Sequence, residues 1–243
     1  MPVNKPNGNM YPYAYTDNPV GGECPHKCGY CYVETKIKPK FHLKKYEGPP
    51  RIIEKELGYE LRIPDDYILF MCNMIDLFAD EIPSHVIKTV LSYCNRYPQT
   101  CFLFQTKNPK RFFEFENMFP EKTIFGITLE TNRTKDYYKI SSAPYPDVRK
   151  HFISAFKQKT GCKIMISIEP VIDFDLDVFV EWIRELDPYF VSIGGNSAES
   201  FVWPDGWFEP SAEKIRLLIT RLQKFTKVRI KSNLERLFDG VKL

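Results

Sequence analysis

Beyond residue 60 the chain alternates short, unbroken apolar runs with longer stretches of helical periodicity. Tyr67 to Cys72, Cys101 to Gln105, Thr123 to Leu129, Lys163 to Ile168, Phe190 to Ile193 and Val228 to Ile230 read as strands. Between them, apolar residues recur every three or four positions. Ile82-Pro83-Ser84 opens a helix carrying Val86, Ile87, Val90, Leu91 and Cys94, and Pro109 opens a shorter one to Met118. Further helices are predicted over roughly 146–159, from Leu176 to the Asp187-Pro188 stop, and from Pro210-Ser211 through Leu222. Continuously apolar strands separated by amphipathic helices predict a parallel sheet covered by helices. The first 60 residues read mostly as loop. No low-complexity linker divides residues 1–243, so one α/β domain is expected, either a partial barrel or an open doubly wound sheet.

Every predicted strand ends in polar residues: Asn73-Met74-Ile75-Asp76, Thr106-Lys107-Asn108, Glu130-Thr131-Asn132, Glu169-Pro170, Gly194-Gly195-Asn196-Ser197 and Lys231-Ser232-Asn233. Any one of these could be a helix cap or a turn. Together they predict a ligand pocket at one face, since such folds place their sites beyond the carboxyl ends of the strands.

Composition narrows the class. Of 243 residues, 43% are hydrophobic and 27% charged, which excludes a disordered chain. The formal charge of +3 excludes a strongly basic nucleic-acid arm. Aromatics reach 15%, enough for a core or a site built on rings. No apolar run is long enough to cross a bilayer and no signal-peptide-like stretch opens the chain, so a cytoplasmic protein without a membrane partner is expected.

Seven cysteines are an odd number, which argues against a disulfide scaffold. Cys94, Cys101 and Cys162 read as core. Cys72, at a strand end, reads as core or as a thiol hydrogen donor. The other three lie in Gly21-Gly22-Glu23-Cys24-Pro25-His26-Lys27-Cys28-Gly29-Tyr30-Cys31-Tyr32, spaced Cys-x3-Cys-x2-Cys. Thiolates favour iron–sulfur clusters or zinc. Structural zinc usually takes four ligands in two separated pairs, and no second Cys-x2-Cys pair exists. His26 as a fourth ligand would crowd four donors into eight residues. Three cysteines on a four-iron cubane leave one iron open.

This spacing, with Tyr30 before the last cysteine, resembles the cluster loop of radical S-adenosylmethionine enzymes. The resemblance implies a partial (β/α)6 TIM-like barrel with an N-terminal cluster-binding loop. It also implies a 4Fe-4S cluster on Cys24, Cys28 and Cys31, S-adenosylmethionine at the open iron, and a one-electron reductant. Cleavage of the sulfonium would give a 5′-deoxyadenosyl radical that abstracts hydrogen from a substrate. Asp76-Leu77-Phe78, Phe104 to Pro109, Gly126 to Asn132, Ser167 to Pro170 and Ser192 to Gly195 are similar to the family named after phage Gp37/Gp68 proteins, in its archaeal branch. The cysteine loop is also similar to that of spore photoproduct lyase.

By motif position the resemblance places Tyr30 near the adenine. Asn73 and Asp76 stand where relatives use Gly-Gly-Glu for the methionine amino group; the Gly-Gly-Glu at 21–23 is displaced and reads as loop geometry. Glu130, Thr131 and Asn132 suit the ribose and methionine moieties. Ser167 and Glu169 end a strand, and Gly194-Gly195 would let backbone approach the adenine. Lys107 would bind a phosphate or carboxylate, or pair with Glu130.

The substrate is not written in these motifs. Nucleic acid is a candidate, because Lys36, Lys38, Lys40, Lys44 and Lys45 are interleaved with Phe41, His42 and Tyr46, and the last 30 residues are also rich in Lys and Arg. The alternative for both stretches is a solvated charged loop. The alternative for the whole protein is a non-catalytic metal- or S-adenosylmethionine-binding protein with a structural three-cysteine site.

Overall fold

A computed structural model describes residues 3–6, 14–41, 44–198 and 200–238; His42 lies outside them. Seven parallel strands form one sheet: β1 (Ala14–Asp17), β2 (Ile68–Met71), β3 (Cys101–Thr106), β4 (Thr123–Thr128), β5 (Lys163–Ile168), β6 (Phe190–Ile193) and β7 (Val228–Ile230). Their spatial order is their chain order. Each crossover therefore steps in the same direction, which curls the sheet into a half-barrel. A doubly wound sheet would reverse its strand order partway. The helices α1 (Ser84–Cys94), α2 (Pro146–Thr160), α3 (Leu176–Leu186) and α4 (Ala212–Leu222) connect these strands.

Two results depart from the sequence reading. The N-terminal segment contains a strand, β1, which pairs with β2 from Ala14–Ile68 to Asp17–Met71 and brings the count to seven. The segment Pro109–Met118 is a 3-10 helix interrupted at Phe115, where φ is −122°. Its Phe112 packs with Phe78, Phe119, Phe125 and Phe156 at ring separations of 4.9–5.6 Å. These rings, all in the helix-facing core or packed against it, account for much of the aromatic content.

The two faces of the sheet follow the period-two alternation of a strand. Leu69, Met71, Phe102, Phe104, Ile127, Ile164 and Ile166 join the helix residues in the large outer core. Ala14, Ile68, Phe70, Leu103, Ile124, Met165 and Phe190 form a separate cluster made of strand residues alone, the floor of the concave face. Further along the same face the four middle strands turn polar, at Gln105, Thr128, Ser167 and Ser192. Thr128, Ser167 and Ser192 lie side by side in register, and Gln105 donates to Thr128 Oγ1 at 3.0 Å. The half-barrel thus has an apolar floor and a polar upper storey that opens at the carboxyl ends of the strands.

Candidate functional site

The cysteine loop sits at the upper mouth, directly after β1. Val20-Gly21 pairs antiparallel with Arg51-Ile52 and fixes where the loop begins. A Cβ at Gly21 would stand 2.6 Å from the Lys45 carbonyl oxygen, and Gly22 adopts φ +104° against Pro49. Gly21-Gly22 therefore serves loop geometry, and Glu23 pairs with Lys27.

Cys24, Cys28 and Cys31 are free, half-buried thiols. Burial pushes the Cys24 thiol up, with Asp76 and Cys28 adding to it, and burial likewise raises Cys31. Cys28 Sγ lies 3.1 Å from Ser141 Oγ. His26 is buried and turned to Asp76, with Nε2 2.9 Å from Oδ2. Asp76 also accepts from Thr106 Oγ1 and the Lys107 N–H, both at 2.7 Å, and from the Phe78 N–H at 3.0 Å. Burial alone would raise its carboxyl, but His26 and these donors hold it below the usual carboxylate range. Asp76 thus ties the cysteine loop to the ends of β2 and β3. Among the described residues no three His, Cys, Asp or Glu side chains converge on a point suited to a single metal ion. Three free thiols in one loop are the donor type that an iron–sulfur cluster takes, each on a different iron rather than on one shared ion.

A second tie is fully buried. Tyr30, between Cys28 and Cys31, donates to Glu130 Oε1. Tyr137 donates to the same oxygen at 2.7 Å, Lys107 Nζ stands 3.1 Å from it, and Arg149 donates to Oε2 at 2.6 Å. Arg149 also donates to the Thr128 carbonyl at 3.0 Å. Glu130 and Arg149 are 0% exposed. Burial would raise the Glu130 carboxyl, but the Arg149 and Lys107 cations, with the Tyr30 O–H, hold it far below the usual range. Glu130 and Lys107 are thereby committed to each other and to the cysteine loop. Lys107 Nζ also lies 5.2 Å from the Tyr30 ring centroid.

The remaining sequence-predicted residues divide. Asn73 accepts from Asn18 at 2.8 Å and donates to Tyr32 at 3.1 Å. Thr131 donates to the Asp173 carbonyl at 2.7 Å, and Asn132 exchanges bonds with the Asp175 backbone at 2.9 and 3.2 Å. These three side chains join loops to one another. Ser167 is buried on the concave face, and the neighbouring Ser192 Oγ is buried without a hydrogen-bond partner. Glu169 is held by Lys231 and by Asn233, whose Nδ2 also donates to the Gly195 carbonyl at 2.8 Å. A Cβ at Gly194 would stand 2.8 Å from Glu169 Oε1 and 2.9 Å from Asn233 Oδ1, so any larger residue would push these two side chains aside. Cys72 is buried in the helix-facing core near Cys94, with φ +58°.

Arg149 and Tyr137 were not singled out from sequence. Arg149 does lie on the buried stripe Pro146, Arg149, Ile153 and Phe156, and a lone cation on an apolar stripe is a readable signal. The aromatic cover carried no such signal. Phe201 and Trp203, from the loop after β6, pack on Tyr30 with ring centroids at 6.3 and 6.1 Å. A Cβ at Gly29 would come within 2.4 Å of the Phe201 ring.

A family described as proteins of unknown function, DUF5131, matches residues 14–200. No curated protein matches the chain in sequence. The fold is shared with solved structures of low sequence identity. A spore photoproduct lyase variant with bound AdoMet and dinucleoside spore photoproduct aligns at TM-score 0.60 and 14% identity, over 96% of this chain and 76% of that one. SuiB of Streptococcus suis bound to precursor peptide SuiA aligns at TM-score 0.60 and 12% identity, over 96% of this chain and 53% of that one. SuiB bound to S-adenosylmethionine aligns at TM-score 0.56 and 13% identity, over 96% and 52%. This chain spans about half the length of SuiB. No described helix is long and apolar enough to cross a membrane.

Proposed function

The chain belongs to the DUF5131 family of proteins of unknown function, and for it we propose the function of a radical S-adenosylmethionine enzyme. The observation that carries the proposal is the placing of three free thiols, spaced Cys-x3-Cys-x2-Cys, at the polar mouth of a parallel half-barrel. The likeness of fold to proteins solved with AdoMet and S-adenosylmethionine supports it. So does the resemblance of the motifs to those of phage Gp37/Gp68 proteins.

Cys24, Cys28 and Cys31 would hold a 4Fe-4S cluster, with His26 withdrawn from ligation by Asp76. When bound and reduced by a one-electron donor, the cluster with S-adenosylmethionine supplies a 5′-deoxyadenosyl radical. The chain's own residues then have definite tasks. Asp76 and the Glu130 cluster fix the loop from two sides. The row Thr128, Ser167 and Ser192, with one orphaned hydroxyl, offers hydrogen bonds to the cofactor from the concave face. Glu169 and the backbone of Gly194-Gly195 continue that wall just past the same strand ends, and Tyr30 with the cover loop excludes water. The substrate is an unidentified molecule for which nucleic acid is one candidate.

Anaerobic reconstitution with iron and sulfide should give a brown protein with about four irons per chain. With dithionite and S-adenosylmethionine it should form 5′-deoxyadenosine. A colourless protein that binds zinc stoichiometrically and never cleaves the cofactor overturns the proposal. One observation favours a second reading, S-adenosylmethionine binding without cleavage. Asn73 and Asp76, where relatives place Gly-Gly-Glu, are both engaged within the protein. Calorimetry on the cluster-loaded protein separates binding from cleavage.

A further inference from the structure

The basic C-terminal stretch gains a location that the cofactor reading does not use. The end of the half-barrel away from the cysteines, at the amino ends of β5 and β6, holds a groove of about 740 Å³. Lys157, Lys163, Lys224 and Lys227 line it, with Tyr189 and Phe225 among them. Its one acidic side chain, Asp187, is taken by Lys157 at 3.0 Å. Lys163, Lys224 and Lys227 have no carboxylate partner among the described residues and are exposed, so the groove carries an excess of three positive charges. The rings are presented with the cations. Tyr189 is 48% exposed with Lys163 Nζ 5.3 Å from its centroid, and Phe225 is half-buried beneath the Arg184 guanidinium at 4.3 Å.

The N-terminal basic stretch is built differently. There Lys38 is paired with Glu34 and Lys45 with Glu56, so part of its charge is already neutralised.

We propose that the lower groove binds single-stranded nucleic acid, with Lys163, Lys224 and Lys227 on phosphates and Tyr189 as a stacking platform. Unpaired lysines around an accessible ring match what a single strand offers, a line of phosphates and free base faces. A duplex would leave the ring without a partner, because its bases are already stacked. A six-residue strand rises roughly 20 Å, so the groove is a second contact, remote from the thiols. It uses none of the residues assigned to the cofactor and stands without that assignment.

The test uses the full chain without cluster and a fluorescein-labelled 15-nucleotide oligo-dT, read by anisotropy. Three neutralised phosphates give a log–log salt slope of about −2, hence roughly 20-fold weaker binding at 200 mM than at 50 mM salt. Reversal of the three lysines (K163E, K224E, K227E) should weaken binding at least tenfold, with the circular dichroism and melting temperature retained. Tyr189→Ala, at an exposed site, should weaken it several-fold without changing the salt slope. Reversal of Lys40 and Lys44 should leave it unchanged. The proposal is overturned by absence of saturable binding at 50 mM salt. It is equally overturned if the triple variant binds within twofold of the parent, or if only Lys40 and Lys44 matter. Binding of labelled polyglutamate in place of the oligonucleotide would assign the groove to an acidic polypeptide and reject a nucleic acid.

Discussion

Glu130→Gln is the most searching single substitution in this molecule. The amide keeps the shape of the carboxylate and can still accept from Tyr30 and Tyr137, but it removes the negative charge that Arg149 and Lys107 share. Arg149 would then be fully buried, and Lys107 largely so, without a carboxylate partner among the described residues. Removing one partner of a buried ion pair costs about 3–5 kcal/mol, a large share of the roughly 5–15 kcal/mol that holds a domain together. In a chain of this size each kcal/mol moves the melting point by about 2–4 °C, so a fall of about 6–20 °C is expected by calorimetry or differential scanning fluorimetry. The pH dependence has a definite sign. The folded carboxyl lies below its unfolded value of about 4.3, so its stabilisation is complete above that pH and is lost only as pH falls toward the folded value. The difference between parent and variant should therefore be flat from about pH 5 to 8 and shrink in acid. Arg149→Met and the double variant close the cycle, and the double should cost at least about 1 kcal/mol less than the sum. A variant melting within about 2 °C of the parent, or strict additivity, would refute the view that this cluster holds the cysteine loop in place.

Three further outcomes are expected. Asp17 has both carboxylate oxygens buried without a hydrogen-bond partner, and burial raises its pKa to about 6. The folded state therefore binds the extra proton, and stability should fall by up to about 3 kcal/mol as pH rises from about 4 to 6. Asp17→Asn should recover that amount at pH 7.5 and nothing at pH 4; a gain at pH 4 would contradict the assignment. Gly29→Ala should displace Phe201 and cost about 1–3 kcal/mol, with a change in Trp203 fluorescence, whereas adding it to Phe201→Ala should cost nothing more. Ser211 caps α4 by accepting from the Lys214 N–H, and Ser211→Ala should lower stability by about 1 kcal/mol in urea melts.

Six of the seven strands and all four connecting helices announce themselves in the sequence, because apolar strands buried on both faces and amphipathic helices have distinct periods. β1 does not, since Ala14-Tyr15-Thr16-Asp17 is only four residues and half polar. It is a strand because Ala14 completes the concave floor and the backbone pairs with β2. The site was legible as a set of strand ends and one cysteine loop. The duties of its residues were not, because sequence position does not reveal which way a side chain turns. Glu130 and Lys107 follow neighbouring strands, yet they turn to each other and to Tyr30 instead of facing outward. Cys72 ends its strand on the helix-facing side, beside Cys94. The cover of Phe201 and Trp203 joins segments some 170 residues apart, a distance at which no local period can speak.

The unclosed sheet has a mechanical consequence. Among the described strands β1 and β7 each pair with one other strand, the outer edge of β1 carrying only the Asn4–Thr16 bridge, while β3, β4 and β5 each pair with two. Opening free energies should therefore run from low at the two margins to high in the middle. The cysteine loop hangs from one margin, and Lys231 and Asn233 from the other. The Lys107–Glu130–Arg149 cluster is anchored beside β3 and β4. The half-barrel can then flex like a book, its spine locked by a buried charge cluster and its covers carrying the two walls of the mouth. Amide exchange should begin at β1 and β7 and reach β4 last. The bulk of a molecule admitted to the mouth would be set by how far the covers part, a quantity that a closed eight-stranded barrel cannot adjust.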